Sequence, residues 1–469
     1  MKGILIFLVL GFNYYVGFYY GIVNLMYSVL LTTSLFVILR HLKRIKYSAV
    51  KDFSYSPETP PVSILIPAYN EKNVIIQTVK SALLMNYPIF DVIVINDGSN
   101  DETLETLINA FKLNKIDVIY RNIIRTAPVR GFYYNSEFPN LLVIDKEKGG
   151  KADALNCGIN ASKNPYFCSV DSDSILERDA LIRLMTPVME STIPVIACGG
   201  VVRILNGIEI KDGAVKDIKL PKSNLALFQI VEYLRAFLFG RVGWDAMNAI
   251  LILSGTFSLF NKATVVAVGG YNIKHVSEDM EMIIKLHRYH KKLKKPYKIK
   301  FISDPICWSE VPEHFEMLGK QRRRWHMGLI QSIIEHKALL FNPKYGNLGM
   351  FIFPYYLFFE MLGPIVELSG YIFVPLSYIF GLLSFNYFLI FLILAILYGV
   401  FLSTAGVFLE ELTYKRYPRW SHLFKLLTYG ILENFGYRQI NSFWRFQAII
   451  RYIFGRRNWE YIEKKGHSS

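Results

Sequence analysis

The sequence predicts an α/β protein in which one Rossmann-like, doubly wound sheet lies between apolar α-helical segments that enter a membrane. Three observations predict it. Short apolar runs ending in polar clusters recur through the middle of the chain, long apolar blocks lie near both ends, and Lys and Arg gather beside those blocks. A strand, helix, strand series of that kind builds a sheet with ligands outside the carboxyl ends of its strands.

The first block, Gly3 to Leu39, carries no charged residue, and about 20 apolar residues span a bilayer. It holds one tilted span or two short ones. It lacks the shorter core and small-residue cleavage site of a signal peptide, so it is expected to be retained. The second block, Leu348 to Leu409, holds only Glu360 and Glu367 as charges, and Gly363-Pro364 should break or kink its helix. Leu423 to Phe454 mixes Lys425, Glu433, Arg438, Arg445 and Arg451 with aromatic residues, which suits an interfacial or polar-faced helix. The expected organisation is therefore transmembrane segment or segments over 1–45, a cytoplasmic domain with interfacial helices over 58–345, transmembrane and interfacial helices over 346–455, and a cytoplasmic tail over 456–469.

Lys and Arg number 53 against 38 Asp and Glu, a net charge of +15. Lys43, Arg44 and Lys46 follow the first block, Arg322 to Arg324 precede the second, and Arg456 and Arg457 follow the third stretch. That is the positive-inside pattern, and it predicts a multi-pass protein of the cell membrane with its central domain in the cytoplasm. The basic balance reports membrane topology, not nucleic-acid binding. Cys157, Cys168, Cys198 and Cys307 have no metal-ligand spacing and read as free thiols.

Pro57 to Pro61 forms a hinge, after which Val62-Ser-Ile-Leu-Ile66 is an apolar run of the kind a buried parallel strand needs. It ends in Pro-Ala-Tyr-Asn-Glu71. Val74 to Met85 has helical periodicity, and Asp91-Val-Ile-Val-Ile95 is a second buried strand closing in Asn96-Asp97-Gly98-Ser99. Tyr69, Glu71 and Asp97 should meet at one crevice, where an acidic group can bind a base or ribose. The same four residues also suit a plain strand-ending turn. No Gly-x-Gly-x-x-Gly and no Walker sequence follows the first strand, which disfavours dehydrogenases and P-loop NTPases.

Tyr166 to Val170 is an apolar strand that delivers Asp171-Ser-Asp173. Alternation in an extended chain would turn both carboxylates to one side. Such oxygens suit magnesium or manganese, whose remaining ligands come from a substrate diphosphate. Lys148-Gly-Gly-Lys151 just upstream adds lysines to offset phosphate charge and glycines that admit close backbone approach; Lys148 also fits a solvated turn. Val276-Ser-Glu-Asp-Met280 opens a helix running through His287. Glu278 or Asp279 is there either a helix cap or the base that takes an acceptor proton, and Asp279 is the better choice. In Lys320-Gln-Arg-Arg-Arg-Trp325, helical spacing puts Gln321, Arg324 and Trp325 on one face. Arginine clamps a diphosphate and an indole stacks on a pyranose; Arg322 and Arg323 suit a basic membrane-surface patch.

With these motifs in order, the chain resembles the family-2 inverting glycosyltransferases of the GT-A fold. Within them it is similar to the membrane-embedded processive synthases of cellulose, hyaluronan, chitin and poly-N-acetylglucosamine. The motifs carrying the resemblance are Asp97, Asp171 with Asp173, Glu278 with Asp279, and Gln321 with Arg324 and Trp325. The resemblance implies a nucleotide-sugar-binding domain in which Tyr69, Glu71, Asp97 and Lys151 hold the nucleotide, with Gln321 and Arg324 also on the donor side. It further implies that Asp171 touches the donor, Asp173 and Asp171 hold a divalent cation (Mg2+ or Mn2+), Asp279 is the catalytic base beside Glu278, and Trp325 meets the acceptor. Asn96 departs from the family's frequent first aspartate, and Ser277 from its frequent Thr. No cyclic-di-GMP-binding barrel is expected after the membrane block.

The activity this implies is processive transfer from a UDP-sugar to a growing polysaccharide in a single inverting displacement, with export across the lipid bilayer and possible partner subunits. Tyr355, Tyr356 and Phe359 would line the export path. Two other readings stay open: addition of one sugar to a lipid or polyprenyl phosphate, and a silent nucleotide-sugar-binding subunit.

Overall fold

The computed structural model describes residues 2–47, 58–414, 417 and 419–455. Pro57 of the expected hinge, Arg456, Arg457 and the expected tail over 456–469 lie outside the described residues. The chain packs as two compact units, one joining Arg40–Pro221 to Met247–Val311 and the other gathering residues 2–39, 222–246 and 312–455. Residues 222–246 and 312–345, expected within the central domain, thus pack with the apolar helices.

The first unit holds strands β1 (Val62–Ala68), β2 (Phe90–Asp97), β3 (Asn114–Ile116), β4 (Val129–Tyr134), β5 (Leu141–Lys146), β6 (Tyr166–Val170), β7 (Ile175–Leu176), β8 (Val195–Ile204), β9 (Ile208–Lys211), β10 (Ala214–Ile218), β11 (Phe257–Asn261) and β12 (Lys298–Ser309). Among the described residues, ten of them form one sheet in the order β3-β4-β5-β2-β1-β6-β11-β8-β12-β7, and β9 with β10 makes a separate hairpin. Every residue of β1 is buried, as a strand covered on both faces requires. Helices Ile75–Leu83 and Lys151–Ala161 follow β1 and β5. Gly158 lets the second lie close, since a Cβ there would stand 3.0 Å from Ile95 Cδ1 and 3.1 Å from Leu65 Cδ2.

The pairings fix where the site falls. β5, β2, β1 and β6 are mutually parallel, so their carboxyl ends share one edge of the sheet. β11 runs antiparallel to β6 with Phe257 opposite Val170. Its leading residues Gly255 and Thr256 therefore come to that same edge, where the Asp171 N–H donates to the Thr256 carbonyl at 3.1 Å.

In the second unit, Ile6–Lys43 and Phe385–Thr413 are long and apolar enough to cross a membrane, and a pair bent by 43°, Leu348–Met361 with Gly363–Ile379, is a third candidate. The first apolar block is one helix, Lys2–Tyr47, not two short ones. The bend falls at Gly363-Pro364, where Pro removes a helix hydrogen bond. Tyr355 stacks on Phe359 at 5.2 Å and Phe359 on Tyr19 at 5.5 Å, with Trp244 against Tyr355 and Tyr356. Tyr355 and Tyr356 are buried among these rings.

Candidate active site

Lys151 is the first residue of the helix after β5. Its Nζ lies 2.7 Å from Asp171 Oδ1, just past β6, and 2.8 Å from Glu278 Oε1, which opens the helix Glu278–Leu293. Burial alone would lower the pKa of this ammonium, but Asp171 and Glu278 outweigh burial and hold it above the ordinary lysine value. One cation thus ties two carboxylates from distant segments.

Asp279 stands beside this pair. Its Oδ2 accepts the Gly255 N–H at 3.3 Å, and its Oδ1 accepts the Ser277 hydroxyl at 2.7 Å and the Met280 N–H at 2.8 Å. One oxygen is committed to the start of its own helix; the other faces the strand edge. The loop before Asp279 is fixed by Asn156, whose side-chain amide donates to the Tyr271 carbonyl at 2.9 Å and accepts the Tyr271 N–H at 2.8 Å. Asn156 belongs to the helix that begins with Lys151, so both arms of the site rest on one element.

Asp171 and Asp173 are not equivalent. The expected alternation is not met, because the chain turns after Val170 instead of staying extended, with the Ser174 N–H donating to the Asp171 carbonyl at 3.1 Å. Thr78 pins this turn through the Ser172 carbonyl at 2.7 Å. The Asp171 side chain is 28% exposed and reaches Lys151, whereas Asp173 is buried. Among the described residues no group of three or more His, Cys, Asp and Glu side chains is placed to hold a metal ion. Two carboxylates do suit a hard divalent ion that draws the rest of its shell from a diphosphate and water.

On the nucleotide side, Asp97 is held by its own surroundings. Its carboxylate is 3% exposed and accepts from Lys146 Nζ at 2.7 Å, the Gly149 N–H at 2.9 Å and the Gly150 N–H at 2.7 Å. Both glycine N–H groups are thus taken by Asp97. Tyr69 follows β1, and its hydroxyl accepts from Lys148 Nζ at 2.8 Å and Asn100 Nδ2 at 3.2 Å, with Lys148 also 4.0 Å from the ring centroid. Lys148 is therefore more than a solvated turn residue. The Glu71 N–H donates to Thr103 Oγ1 at 2.9 Å just before the helix Ile75–Leu83.

Gln321, Arg324 and Trp325 lie on the helix Phe315–Glu335 of the other unit. Trp325 is 41% exposed. Arg322, expected in a surface patch, is instead buried, 2.7 Å from Glu232 and 3.4 Å from the Tyr437 hydroxyl, with its guanidinium 4.5 Å from the Trp325 ring centre. None of the four cysteines is in a disulfide, and all are buried. Sequence reasoning missed Lys146 and Gly255. Lys146 ends an apolar strand, a place where a lysine needs an acidic partner, but nothing in the sequence names Asp97 and Asp153 as those partners.

A sheet whose parallel strand ends gather Asp171, Lys151 and a Glu-Asp pair, joined to a unit of apolar helices, has the parts of a membrane-associated group-transfer protein. Residues 168–409 match the model of glycosyl transferase family group 2, and residues 63–212 match glycosyl transferase family 2. The first match covers more than half of the chain, which belongs to that glycosyltransferase family. The poly-beta-1,6-N-acetyl-D-glucosamine synthase of Staphylococcus epidermidis is 29% identical over 311 residues, 65% of this chain and 61% of that protein. The synthase of the same name from Staphylococcus aureus is 29% identical over 327 residues, 68% of this chain and 66% of that one. The chain thus spans less than two thirds of the length of these relatives. A mannosyltransferase from Pyrobaculum calidifontis, solved with GDP-Man and Mn2+, is 17% identical, with a TM-score of 0.49 over 87% of this chain and 99% of that one.

Proposed function

We propose that this chain is a processive inverting glycosyltransferase that polymerises a UDP-sugar into a beta-linked polysaccharide at the cytoplasmic face of the cell membrane and exports it. The observation that carries the reading is Lys151 held between Asp171 and Glu278, with Asp279 next to it, at the carboxyl edge of parallel strands. The names of the two staphylococcal relatives support N-acetylglucosamine as the first sugar to test.

In this mechanism Asp279 takes the proton from the acceptor hydroxyl. The hydroxyl oxygen bonds to the anomeric carbon as the bond to the UDP oxygen breaks, and a single displacement inverts an alpha donor to a beta product. Lys151 balances the negative charge gathering on the departing diphosphate and holds the Glu278 carboxylate on its own ammonium. Tyr69 offers a ring for the base, with Lys148 and Asn100 at its hydroxyl. Asp173 and Asp171 would hold a divalent cation, which neutralises the leaving diphosphate when bound. On the helical unit, the half-exposed indole of Trp325 suits a pyranose face, and Arg324 with Gln321 suits phosphate.

The test incubates the detergent-purified chain with UDP-N-acetylglucosamine and magnesium or manganese and resolves products by size and lipid extractability. A ladder or high-mass polymer supports the reading. A single lipid-soluble product would move the assignment to glycolipid synthesis, and no transfer from this or any other UDP-sugar would sink it.

A further inference from the structure

Lys146 is a wholly buried lysine that no motif accounts for. Its Nζ lies 2.7 Å from Asp97 Oδ1, 2.6 Å from Asp153 Oδ1 and 2.6 Å from the Glu147 carbonyl oxygen, so all three ammonium donors are used. Asp97 spends its remaining capacity on the Gly149 and Gly150 N–H groups. Asp153, in the first turn of the helix that Lys151 opens, also accepts the Ala127 N–H at 3.2 Å. Burial opposes the charge on Lys146, but Asp153 and Asp97 outweigh it and hold the ammonium above the ordinary lysine pKa.

Stability alone does not call for such a cluster. Apolar side chains of the same volume often replace buried ion pairs at no loss. What the charged cluster does that apolar packing cannot is grip backbone N–H groups. The N-terminus of the helix Lys151–Ala161 has no side-chain cap of its own at Gly150, and an anion there is favoured. Asp97 supplies that anion from β2, and Lys146 holds Asp97 in place. The loop is pressed down accordingly: a Cβ on Gly149 would stand 2.4 Å from Asp153 Oδ1, and one on Gly98 2.8 Å from the Lys148 N.

Two lysines leave this clamped loop in different directions. Lys148 reaches Tyr69, and Lys151 reaches Asp171 and Glu278. We propose that Lys146 is a positioning residue: with Asp97 and Asp153 it sets the register of residues 147–150, so that the nucleotide end at Tyr69 and the reacting end at Lys151 are placed together for one donor molecule. This inference rests on the donor-site reading given above. It also gives Asp97 work as an internal clamp.

The experiment measures donor KM, kcat, UDP affinity by calorimetry and thermal midpoint on the full chain in detergent for three variants beside the wild type. Lys146→Met strands two buried carboxylates, so its midpoint should fall and its donor KM rise. Lys146→Met with Asp153→Leu restores the net charge of the cluster. It should recover the midpoint yet keep a donor KM roughly tenfold above wild type, because the loop is no longer gripped. Gly149→Ala leaves all three charges in place but drives a methyl into buried Asp153, so its midpoint should fall by less than that of Lys146→Met while its donor KM rises by a similar factor. A double variant with wild-type midpoint and wild-type KM, or Gly149→Ala with wild-type KM, overturns the inference and leaves the donor-site reading standing. A wild-type chain that neither binds UDP nor turns over a UDP-sugar sinks both.

Discussion

The Gly255 N–H donates to Asp279 Oδ2 at 3.3 Å, and a Cβ on Gly255 would stand 3.4 Å from that oxygen and 3.2 Å from Lys151 Nζ. The residue leading into β11 thus orients the carboxylate and leaves room for the ammonium. Gly255→Ala should fold, because the methyl meets only side-chain ends, which need give by no more than a few tenths of an ångström. Its turnover should fall roughly tenfold to a hundredfold, since small misplacements of reacting groups cost that much. Circular dichroism and kcat for the same preparation check both parts.

Tyr69 is held through its hydroxyl by Lys148 and Asn100. Tyr69→Phe removes only that anchor and should raise donor KM a few fold. Tyr69→Ala also removes the ring, and because base stacking contributes about 1 to 3 kcal/mol, its KM should rise roughly tenfold or more with kcat changed less. Initial rates against UDP-sugar concentration separate the two effects.

Arg322 is bound to Glu232 and to the Tyr437 hydroxyl in the helical unit, with its side chain 3% exposed. Arg322→Ala leaves Glu232 without its cation in a poorly solvated place, which typically costs about 3 to 5 kcal/mol. The thermal midpoint in detergent should drop accordingly.

His287 ties the helix of Asp279 to the body of its unit. The Ile250 carbonyl can only accept, so Nε2, at 2.7 Å, carries the proton, and the neutral ring then accepts the Tyr297 hydroxyl at Nδ1, also at 2.7 Å. Burial lowers its pKa from 6.5 to about 4. Between those values the unfolded chain binds a proton that the folded chain refuses. The stabilisation is therefore present above about pH 6.5 and is lost as pH falls toward 4, amounting to about 3 kcal/mol at full extent. Thermal midpoints across that range should fall more steeply for the wild type than for His287→Gln; equal slopes would remove the account.

The parts of the fold legible in the sequence are those governed by local pattern. β1, β2 and β6 are runs of apolar residues buried on both faces, and the strand Tyr166–Val170 has the bounds that its composition predicts. The motif residues Lys151, Asp171, Glu278 and Asp279 are legible for the same reason, each sitting at the end of a strand or the start of a helix. What pattern does not carry is partnership across the chain. Lys146 and Asp97 are 49 residues apart and meet only because β2 and β5 pair in parallel with Asp97 opposite Lys146. Arg322 and Glu232 are separated by 90 residues. At Asp171 and Asp173 the local rule itself misleads, because strand alternation ends where the turn closed by Ser174 begins.

The central claim is that Asp279 removes the acceptor proton at the edge where Lys151 joins Asp171 to Glu278. The most direct measurement compares the initial rate of sugar transfer from a UDP-sugar by the purified wild type and Asp279→Asn at saturating donor, with UDP affinity measured on both. A general base contributes about 100- to 10,000-fold, so Asp279→Asn should lose transfer by at least that lower factor while binding UDP as the wild type does. Transfer by Asp279→Asn at the wild-type rate would contradict the account.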